Sequence, residues 1–216
     1  MSNITICQAN CSHVKYAEKI CELVYISAQE RGTGIANRTA EYIAQKMIEG
    51  KAVVAIENDE IIGFSYIETW SHKQFVANSG LIVAHAYRHS GLARKIKREI
   101  FALSRKCYPK AKIFSITTGP AVMKINYELG FRPVPFVELT DDKEFWDGCK
   151  GCKNYDILER NDRKMCLCTA LLYDPEYKPK PVKSATPALT SFITTPVKTL
   201  AAAPVFAFRA LFRTLL

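Results

Sequence analysis

Residues 81–106 read LIVAHAYRHSGLARKIKREIFALSRK and join an apolar run to an amphipathic helix through a short turn at residues 88–93. After the turn, apolar residues recur at the spacing of one helix face, at Leu92, Ile96, Ile100 and Leu103. Unpaired backbone N–H groups and the helix dipole favour a phosphate at such a helix start, and Gly91 lets the backbone approach it closely. A glycine at a strand-to-helix junction also fits an ordinary turn, so this stretch alone leaves both interpretations open.

The surrounding residues predict a mixed α/β domain. The predicted elements are, in order, helices at 13–32 and 38–50, strands at 51–57, 61–69 and 75–86, the helix after the turn, a strand at 111–119, a short helix at 120–130 and an extended segment at 131–139. This order predicts a central, mostly antiparallel sheet flanked by helices, with at least one right-handed crossover.

Two motifs in this region resemble those of the GNAT superfamily of acyl-CoA-dependent N-acyltransferases. Arg88, Gly91 and Ala93 fill the places of motif A, whose pattern is Arg or Gln, two residues, Gly, one residue, then Gly or Ala. The sequence NYELGF, at residues 126–131, looks like the end of motif B. The resemblance covers residues 4–140 and implies a GNAT-type fold. Faintly, the chain also resembles small GNAT-type enzymes of bacterial arginine biosynthesis, whose product is N-acetylglutamate.

The resemblance implies an N-acetyltransferase that uses acetyl-CoA as cosubstrate and a primary amine as acceptor. The strand edge at Ile82 and Val83 would hydrogen-bond the pantetheine arm. The pyrophosphate would be bound by the backbone amides of the turn, which belong to Arg88, His89, Ser90, Gly91, Leu92 and Ala93. Because the amine attacks the thioester directly in this family, no covalent cysteine is required. The alternative is a catalytically degenerate GNAT-fold binding module with a zinc knuckle.

Three residues are candidates for proton transfer. Glu68, near the end of a hairpin strand, is the candidate proton acceptor, although a solvated strand-end carboxylate fits the same position. The family commonly has a tyrosine four residues before the motif B glycine as proton donor, and this chain has Asn126 there, followed by Tyr127. Either Tyr127 turns inward, or Asn126 supplies a hydrogen bond and solvent donates the proton.

Substrate recognition in this family usually falls to the loop between the first two helices. Here that loop carries Arg31 and Arg38 around a Gly-Thr-Gly sequence. Because arginine suits bidentate capture of a carboxylate, we expect a small-molecule amine such as the α-amine of glutamate or another acidic amino acid. Two surface arginines with no ligand are the alternative interpretation.

Four of the eight cysteines form two close pairs, Cys149-x-x-Cys152 and Cys166-x-Cys168. Two such pairs fit a closed, structural Zn²⁺ site with four thiolates, the second pair lying on a strand that points both sulfurs to one face. Packed reduced thiols and a redox Cys-x-x-Cys are the alternatives. The other cysteines fall at apolar positions and are predicted to be core residues, namely Cys7, Cys11, Cys21 and Cys107.

The chain has 216 residues and a net charge of +9, and six of these positive charges lie in residues 178–216, which hold no acidic residue. The body is therefore nearly balanced, and nucleic acid is not an expected partner. Composition divides the chain into a catalytic domain at 1–140, a four-cysteine extension packed on it at 141–177, a Pro- and Lys-rich linker at 178–195 and an amphipathic basic helix at 196–216.

The sequence of the basic helix at 196–216 predicts that it binds another surface. Its phenylalanines and arginines are typical of a helix that lies on a membrane surface or docks on a partner protein, and packing back on its own domain is the alternative. A cytoplasmic protein is expected, since the chain shows no apolar leader and no run of about eighteen apolar residues. Peripheral membrane attachment through the helix and a homodimer are left open.

Overall fold

A computed structural model of the protein describes residues 3–31 and 36–178. The linker and the basic helix predicted beyond these residues lie outside the described part. The helices are α1 (Ala17–Arg31), α2 (Ala40–Ile48), α3 (Leu92–Cys107), α4 (Pro120–Glu128), α5 (Lys143–Asp147) and α6 (Tyr155–Arg160). The strands are β1 (Thr5–Gln8), β2 (Ala52–Glu57), β3 (Glu60–Trp70), β4 (Phe75–Val83), β5 (Lys112–Thr117), β6 (Arg132–Val134) and β7 (Thr169–Tyr173).

The strands form one seven-stranded sheet in the order β1-β2-β3-β4-β5-β7-β6. Every pairing is antiparallel except β4 with β5, whose parallel connection runs through α3. The predicted mixed α/β class with a mostly antiparallel sheet is therefore confirmed. The polar turn between β2 and β3 is also confirmed, since Asn58 and Asp59 have φ of 50° and 61°, as a two-residue hairpin turn requires.

Four predicted elements differ from the structure by more than two residues at one end. The segment predicted to be extended at 131–139 is a strand only at Arg132–Val134, and a 3₁₀ turn at Phe136–Glu138 follows. The first predicted helix begins with a 3₁₀ turn at Cys11–Tyr16, which becomes α-helical at Ala17. The strand predicted at 75–86 ends at Val83, and a 3₁₀ turn at His85–Tyr87 follows. The strand predicted to carry Cys166 and Cys168 begins only at Thr169, because its partner β5 ends at Thr117, opposite Thr169, and offers no further pairing.

Two hydrophobic layers cover the first strands. On one face α3 buries Leu92, Ile96, Ile100 and Leu103, which are the positions that the spacing predicted. On the other face α1 and α2 bury Ile20, Val24, Ile43 and Met47 against β2, β3 and β4. Thr39 caps α2, because its side chain accepts the N–H of Tyr42 at 3.2 Å. This cap fixes where α2 begins beside β3.

The segment at 141–177 is part of this fold. Its strand β7 lies between β5 and β6, and its α5 places Trp146 against Phe114 and Leu172 of the sheet. The indole N–H of Trp146 donates to the carbonyl of Thr140 at 2.8 Å, which holds α5 in place. Among the helices of the described residues, none is long and apolar enough to cross a membrane.

Lys97 is a charged side chain in the apolar layer under α3. It is 1% exposed, and its ammonium lies 5.4 Å from the centre of the Phe131 ring. Burial lowers the pKa of Lys97 to about 7, because desolvation penalises the charged form. Between this pKa and the higher, ordinary lysine pKa of the unfolded chain, Lys97 is protonated more fully in the unfolded chain than in the native one. The free energy of unfolding therefore rises with pH over that range.

Replacing Lys97 by methionine should raise the free energy of unfolding by about 2–4 kcal/mol at neutral pH, since methionine fills similar space without a charge. The gain should shrink as the pH approaches about 10, where the unfolded lysine also loses its proton. Denaturant unfolding at both pH values measures the effect, with Lys95→Met on the exposed face of α3 as the control. An equal gain at both pH values would contradict this account.

Candidate active site

The turn predicted to bind pyrophosphate lies where β4 leads into α3. Gly91 occupies the N-cap position with φ of 82°, and it has no side chain to cap the helix. His89 before it also has a positive φ, of 64°. These conformations, which favour glycine and polar residues, begin a sixteen-residue helix whose first N–H groups lack intrahelical acceptors, and of these the Leu92 N–H donates to the Ser90 hydroxyl at 3.4 Å. The geometry suits an anion held by backbone amides.

The basic side chains of this turn are engaged elsewhere. Arg88 forms a salt bridge with Glu30 at 2.6 Å and donates to the Ser27 hydroxyl at 3.0 Å, which ties the turn to α1. Arg94 pairs with Glu128 at 2.7 Å. An anion at the turn would therefore be met chiefly by the backbone, as the sequence motif implies. Of the remaining predicted cofactor-binding residues, Ile82, Val83 and Leu92 are buried, Ala93 is half-buried, and His89 and Ser90 are exposed.

Beside the turn, strands β4 and β5 diverge. They pair only at Phe75–Ala77 with Lys112–Phe114, so from Asn78 onward the β5 side of β4 has no strand partner in the described chain. A bulge in β4 coincides with the divergence, since the register with β3 shifts between Phe64 and Tyr66. Gly80 lies in the bulge with φ of 64°. A Cβ there would lie 2.3 Å from Cε1 of Tyr66, so the bulge requires glycine for space as well as for conformation.

A cleft of about 370 Å³ opens at this divergence. Its walls come from three parts of the fold: the bulge and the end of β5, the side chains of α2 and β3, and the segment after α5. Ser79, Gly80 and Leu81 line it at the bulge, and Arg38, Tyr42 and Glu68 line the part that we call the acceptor end. The cleft therefore connects the strand edge predicted to bind pantetheine with the residues predicted to meet an acceptor.

Glu68 lies at the acceptor end in a buried polar cluster. Its side chain is 11% exposed, and Oε1 accepts a hydrogen bond from the Tyr42 hydroxyl. The ammonium of Lys46 lies 3.9 Å from the same oxygen. Burial raises the pKa of Tyr42, and the nearby Tyr66 and Glu68 raise it further, so the phenol stays protonated and donates. Burial lowers the pKa of Lys46, although Glu68 opposes that effect.

Arg38 lies next to this cluster and faces the cleft. Its Nε donates to the Tyr66 hydroxyl at 3.1 Å and its Nη1 to the carbonyl of Asn37 at 3.0 Å. Both acceptors are uncharged, so these bonds do not neutralise the guanidinium. The cation also lies 5.6 Å from the ring centre of Tyr42. A carboxylate entering the cleft would meet a cation already oriented by aromatic side chains.

Two other predicted site residues, Asn126 and Tyr127, do not line the cleft. Arg31 is the last residue of α1, and its side chain lies outside the described part. Asn126 is fully buried in α4, and its side-chain amide has no hydrogen-bond partner among the described residues. Tyr127 is 48% exposed and points away from the core. Neither residue contributes to the cleft wall, so their roles in proton donation stay predictions.

Sequence reasoning missed Tyr42, Lys46 and Tyr66. Tyr42 and Lys46 lie one turn apart on α2, and Tyr66 and Glu68 alternate on β3, so each pair shares one face of its element. Within each element, this spacing alone indicates which side chains share a face. The contact between the two faces depends on how α2 packs across the sheet, which local spacing does not specify.

The four cysteines at 149–168 lie together as partly buried thiols. Asn154 N–H donates to Sγ of Cys152 at 3.5 Å, and Sγ of Cys166 lies 3.9 Å from the Asn154 carbonyl. Burial, with smaller contributions from the neighbouring thiols, raises the pKa of Cys149 to about 11 and that of Cys168 to about 12. In the absence of a metal these thiols therefore stay protonated at neutral pH.

The predicted zinc site is not supported. Across residues 3–31 and 36–178, no group of three or more His, Cys, Asp or Glu side chains is arranged to hold a metal. Cys149, Cys166 and Cys168 instead pack against the apolar cluster around Trp146, which matches the alternative of packed reduced thiols. The prediction for the other cysteines was wrong in two cases: Cys7 and Cys21 are half-buried, but Cys11 and Cys107 are exposed.

No protein-family model and no curated protein sequence matches this chain. Solved structures do match. N-acetylglutamate synthase from Neisseria gonorrhoeae, complexed with coenzyme A and N-acetyl-glutamate, aligns with a TM-score of 0.58 and 15% identity over 82% of this chain and 36% of that chain. A GNAT-family acetyltransferase from Staphylococcus aureus Mu50 aligns with a TM-score of 0.56 and 16% identity over 81% of this chain and 100% of that chain.

A third neighbour is diaminobutyrate acetyltransferase EctA from Paenibacillus lautus, in complex with its substrate L-2,4-diaminobutyric acid and coenzyme A. It aligns with a TM-score of 0.54 and 10% identity over 83% of this chain and 99% of that chain. This chain therefore spans about a third of the Neisseria synthase but nearly all of the other two proteins. At these identities the likeness shows the fold alone. The described residues have the GNAT fold, as the two sequence motifs predicted.

Proposed function

We propose that this chain, which has the GNAT fold, transfers an acetyl group from acetyl-CoA to a primary amine. The observation that carries the proposal is one continuous cleft. It is lined by the diverging edge of β4, the strand that leads along the chain to the helix start at Gly91, and by the buried carboxylate of Glu68. A cosubstrate held at the helix start by its phosphates and at the strand edge by its pantetheine would present its thioester toward Glu68.

The reaction needs a proton acceptor and no covalent intermediate. Glu68 would take a proton from the acceptor ammonium, and the neutral nitrogen would attack the thioester carbonyl carbon. As the C–N bond forms, the nitrogen gives its second proton to solvent, the C–S bond breaks and the thiolate leaves. The thiolate then takes a proton and Glu68 releases its own to solvent, so the products are an N-acetylated amine and free coenzyme A. Solvent is the proton source in this scheme, because Asn126 and Tyr127 do not contribute to the cleft wall.

We further propose that the acceptor is an acidic amino acid such as glutamate, acetylated at its α-amine. The acceptor end of the cleft offers a cation at Arg38 and an anion at Glu68, which suit the carboxylate and the ammonium of one small zwitterion. Two of the structural neighbours were solved with an amino-acid substrate or product, N-acetyl-glutamate and L-2,4-diaminobutyric acid.

Incubating the full chain with acetyl-CoA and a mixture of primary amines tests the transfer itself. Release of coenzyme A that depends on an added amine supports the proposal, whereas acetyl-CoA that stays intact with every amine removes it. Chromatographic separation of the two CoA species is the better readout, because the eight free cysteines of this chain react with colorimetric thiol reagents.

Replacing Arg38 by methionine tests the acceptor class. We expect the KM for glutamate to rise about 10- to 100-fold, because the carboxylate loses a charge-assisted hydrogen bond in a buried site. The KM for acetyl-CoA should stay within about twofold, since Arg38 lies at the acceptor end of the cleft. Steady-state kinetics with each substrate varied gives both values. Arg160→Met, at an exposed position on α6, is the matched control, and an unchanged KM for glutamate in Arg38→Met would contradict the assignment.

Motif B has Asn126 where the family commonly has a tyrosine, and this difference favours a second function. A GNAT fold that binds CoA without catalysis would tolerate Asn126 at the tyrosine position, buried and away from the cleft wall. Tight binding of acetyl-CoA by the full chain, with no transfer to any amine, would support this binding module over the enzyme.

A further inference from the structure

Glu68 receives two contacts, and both fall on the same oxygen. The hydroxyl of Tyr42 donates to Oε1, and the ammonium of Lys46 lies 3.9 Å from Oε1. Oε2 takes neither contact. Because a carboxylate has two oxygens, fixing one of them sets the orientation of the other. The arrangement leaves Oε2 for a ligand in the cleft that Glu68 lines.

Tyr42 is held more firmly than a surface tyrosine would be. Its ring packs edge-on against Tyr66 with centroids 5.8 Å apart, and the ammonium of Lys46 lies 4.7 Å from its centre. The guanidinium of Arg38 approaches the same ring. With its ring enclosed in this way, the Tyr42 hydroxyl has a fixed position beside Glu68.

Tyr42 is not itself suited to accept the proton. Burial, followed by the nearby Tyr66 and Glu68, raises its pKa, so at neutral pH the phenol already carries its proton. A protonated hydroxyl can donate to Glu68 but cannot act as a base. Any contribution of Tyr42 to proton removal must therefore pass through Glu68.

We propose that Tyr42 is a positioning residue that fixes Oε1 of Glu68 and thereby presents Oε2 to the ammonium of the acceptor. This inference rests on the proposed acetyltransferase function and adds a residue on α2 to it. Besides Tyr42, the charged or titratable groups that interact with Glu68 are Lys46 and Arg38, from α2 and its approach, and Tyr66 from β3.

Tyr42→Phe removes one hydroxyl and keeps the ring, so it separates positioning from packing. We expect kcat with glutamate to fall about 10-fold, with the KM for acetyl-CoA unchanged. Tyr25→Phe, an exposed tyrosine of α1, should change neither quantity.

A double-mutant cycle with Glu68→Gln shows whether Tyr42 acts through Glu68. If it does, adding Tyr42→Phe to Glu68→Gln should change kcat by less than about twofold. Full additivity of the two losses would overturn the inference. If Tyr42→Phe lowers the unfolding temperature too far to assay, Lys46→Gln, which removes the other contact to Oε1, should lower kcat by a smaller factor that disappears in the Glu68→Gln background. A Lys46→Gln loss that persists in that background is equally contrary to the inference.

The cycle also separates this inference from the function on which it rests. A wild-type chain that acetylates no amine ends the proposed function, and the role of Tyr42 falls with it. A wild-type chain that is active, with Tyr42→Phe matching it in rate, ends the role of Tyr42 and leaves the function standing.

Discussion

Glu68→Gln should lower kcat/KM for acetyl transfer about 10²- to 10³-fold near neutral pH. Glutamine keeps the shape of the side chain and can still receive the Tyr42 hydrogen bond, but it cannot take a proton from the acceptor. General base catalysis in enzymes typically contributes a factor of about 10²–10⁴, and Glu68, on β3 against α2, is the proton acceptor that we propose. Initial rates of coenzyme A release across a range of pH measure the loss.

The loss should be smaller at high pH. There the acceptor amine reaches its neutral form without help, so the base contributes less. Glu60→Gln, an exposed carboxylate at the start of the same strand, is the control and should behave as the wild type does. A Glu68→Gln variant with the wild-type rate at every pH would remove Glu68 from the mechanism.

Gly91→Val should weaken acetyl-CoA binding about 10- to 100-fold. Gly91 has φ of 82°, and a β-branched residue at such a φ costs about 1–3 kcal/mol. An added Cβ would meet nothing within 4 Å, so no clash inside the protein accompanies the substitution. The effect should therefore come from the altered turn and from a side chain standing where the backbone must approach the pyrophosphate.

Calorimetric titration with acetyl-CoA measures this affinity, and Gly50→Val is the matched control. Gly50 has φ of 64°, so valine there carries a similar conformational cost in the turn between α2 and β2, away from the turn at 88–93. Both variants should lose stability, but only Gly91→Val should lose affinity. Equal affinity losses in the two variants would show that the turn at 88–93 has no special role.

The sequence was most informative where local chemistry decides the structure. The turn at Gly91, the buried face of α3 and the hairpin around Asn58 depend on φ preferences and on helical spacing, and the structure confirms all three. Glu68 and Arg38, both singled out from the sequence, line the same cleft.

Features that depend on distant parts of the chain could not be predicted. The insertion of β7 between β5 and β6 is a non-local pairing, and it decides where the segment with Cys166 and Cys168 leaves the sheet. The hydrogen bond between Tyr42 and Glu68 depends on the position along β3 at which α2 packs against it. The cysteine spacing fits a metal site, but spacing does not fix the positions of four sulfurs around one point, and the described residues hold no such arrangement.

The most direct test of the account is an acceptor competition with the full chain. Equal concentrations of glutamate, aspartate, lysine and a polyamine are incubated with acetyl-CoA, and mass spectrometry identifies which amine gains the acetyl group and at which nitrogen. The account predicts α-N-acetylation of an acidic amino acid, with glutamate the preferred candidate, at a rate at least about 10-fold above lysine and the polyamine, because only the acidic acceptors offer Arg38 an additional carboxylate. Acetylation of lysine or the polyamine without acetylation of glutamate or aspartate would contradict it.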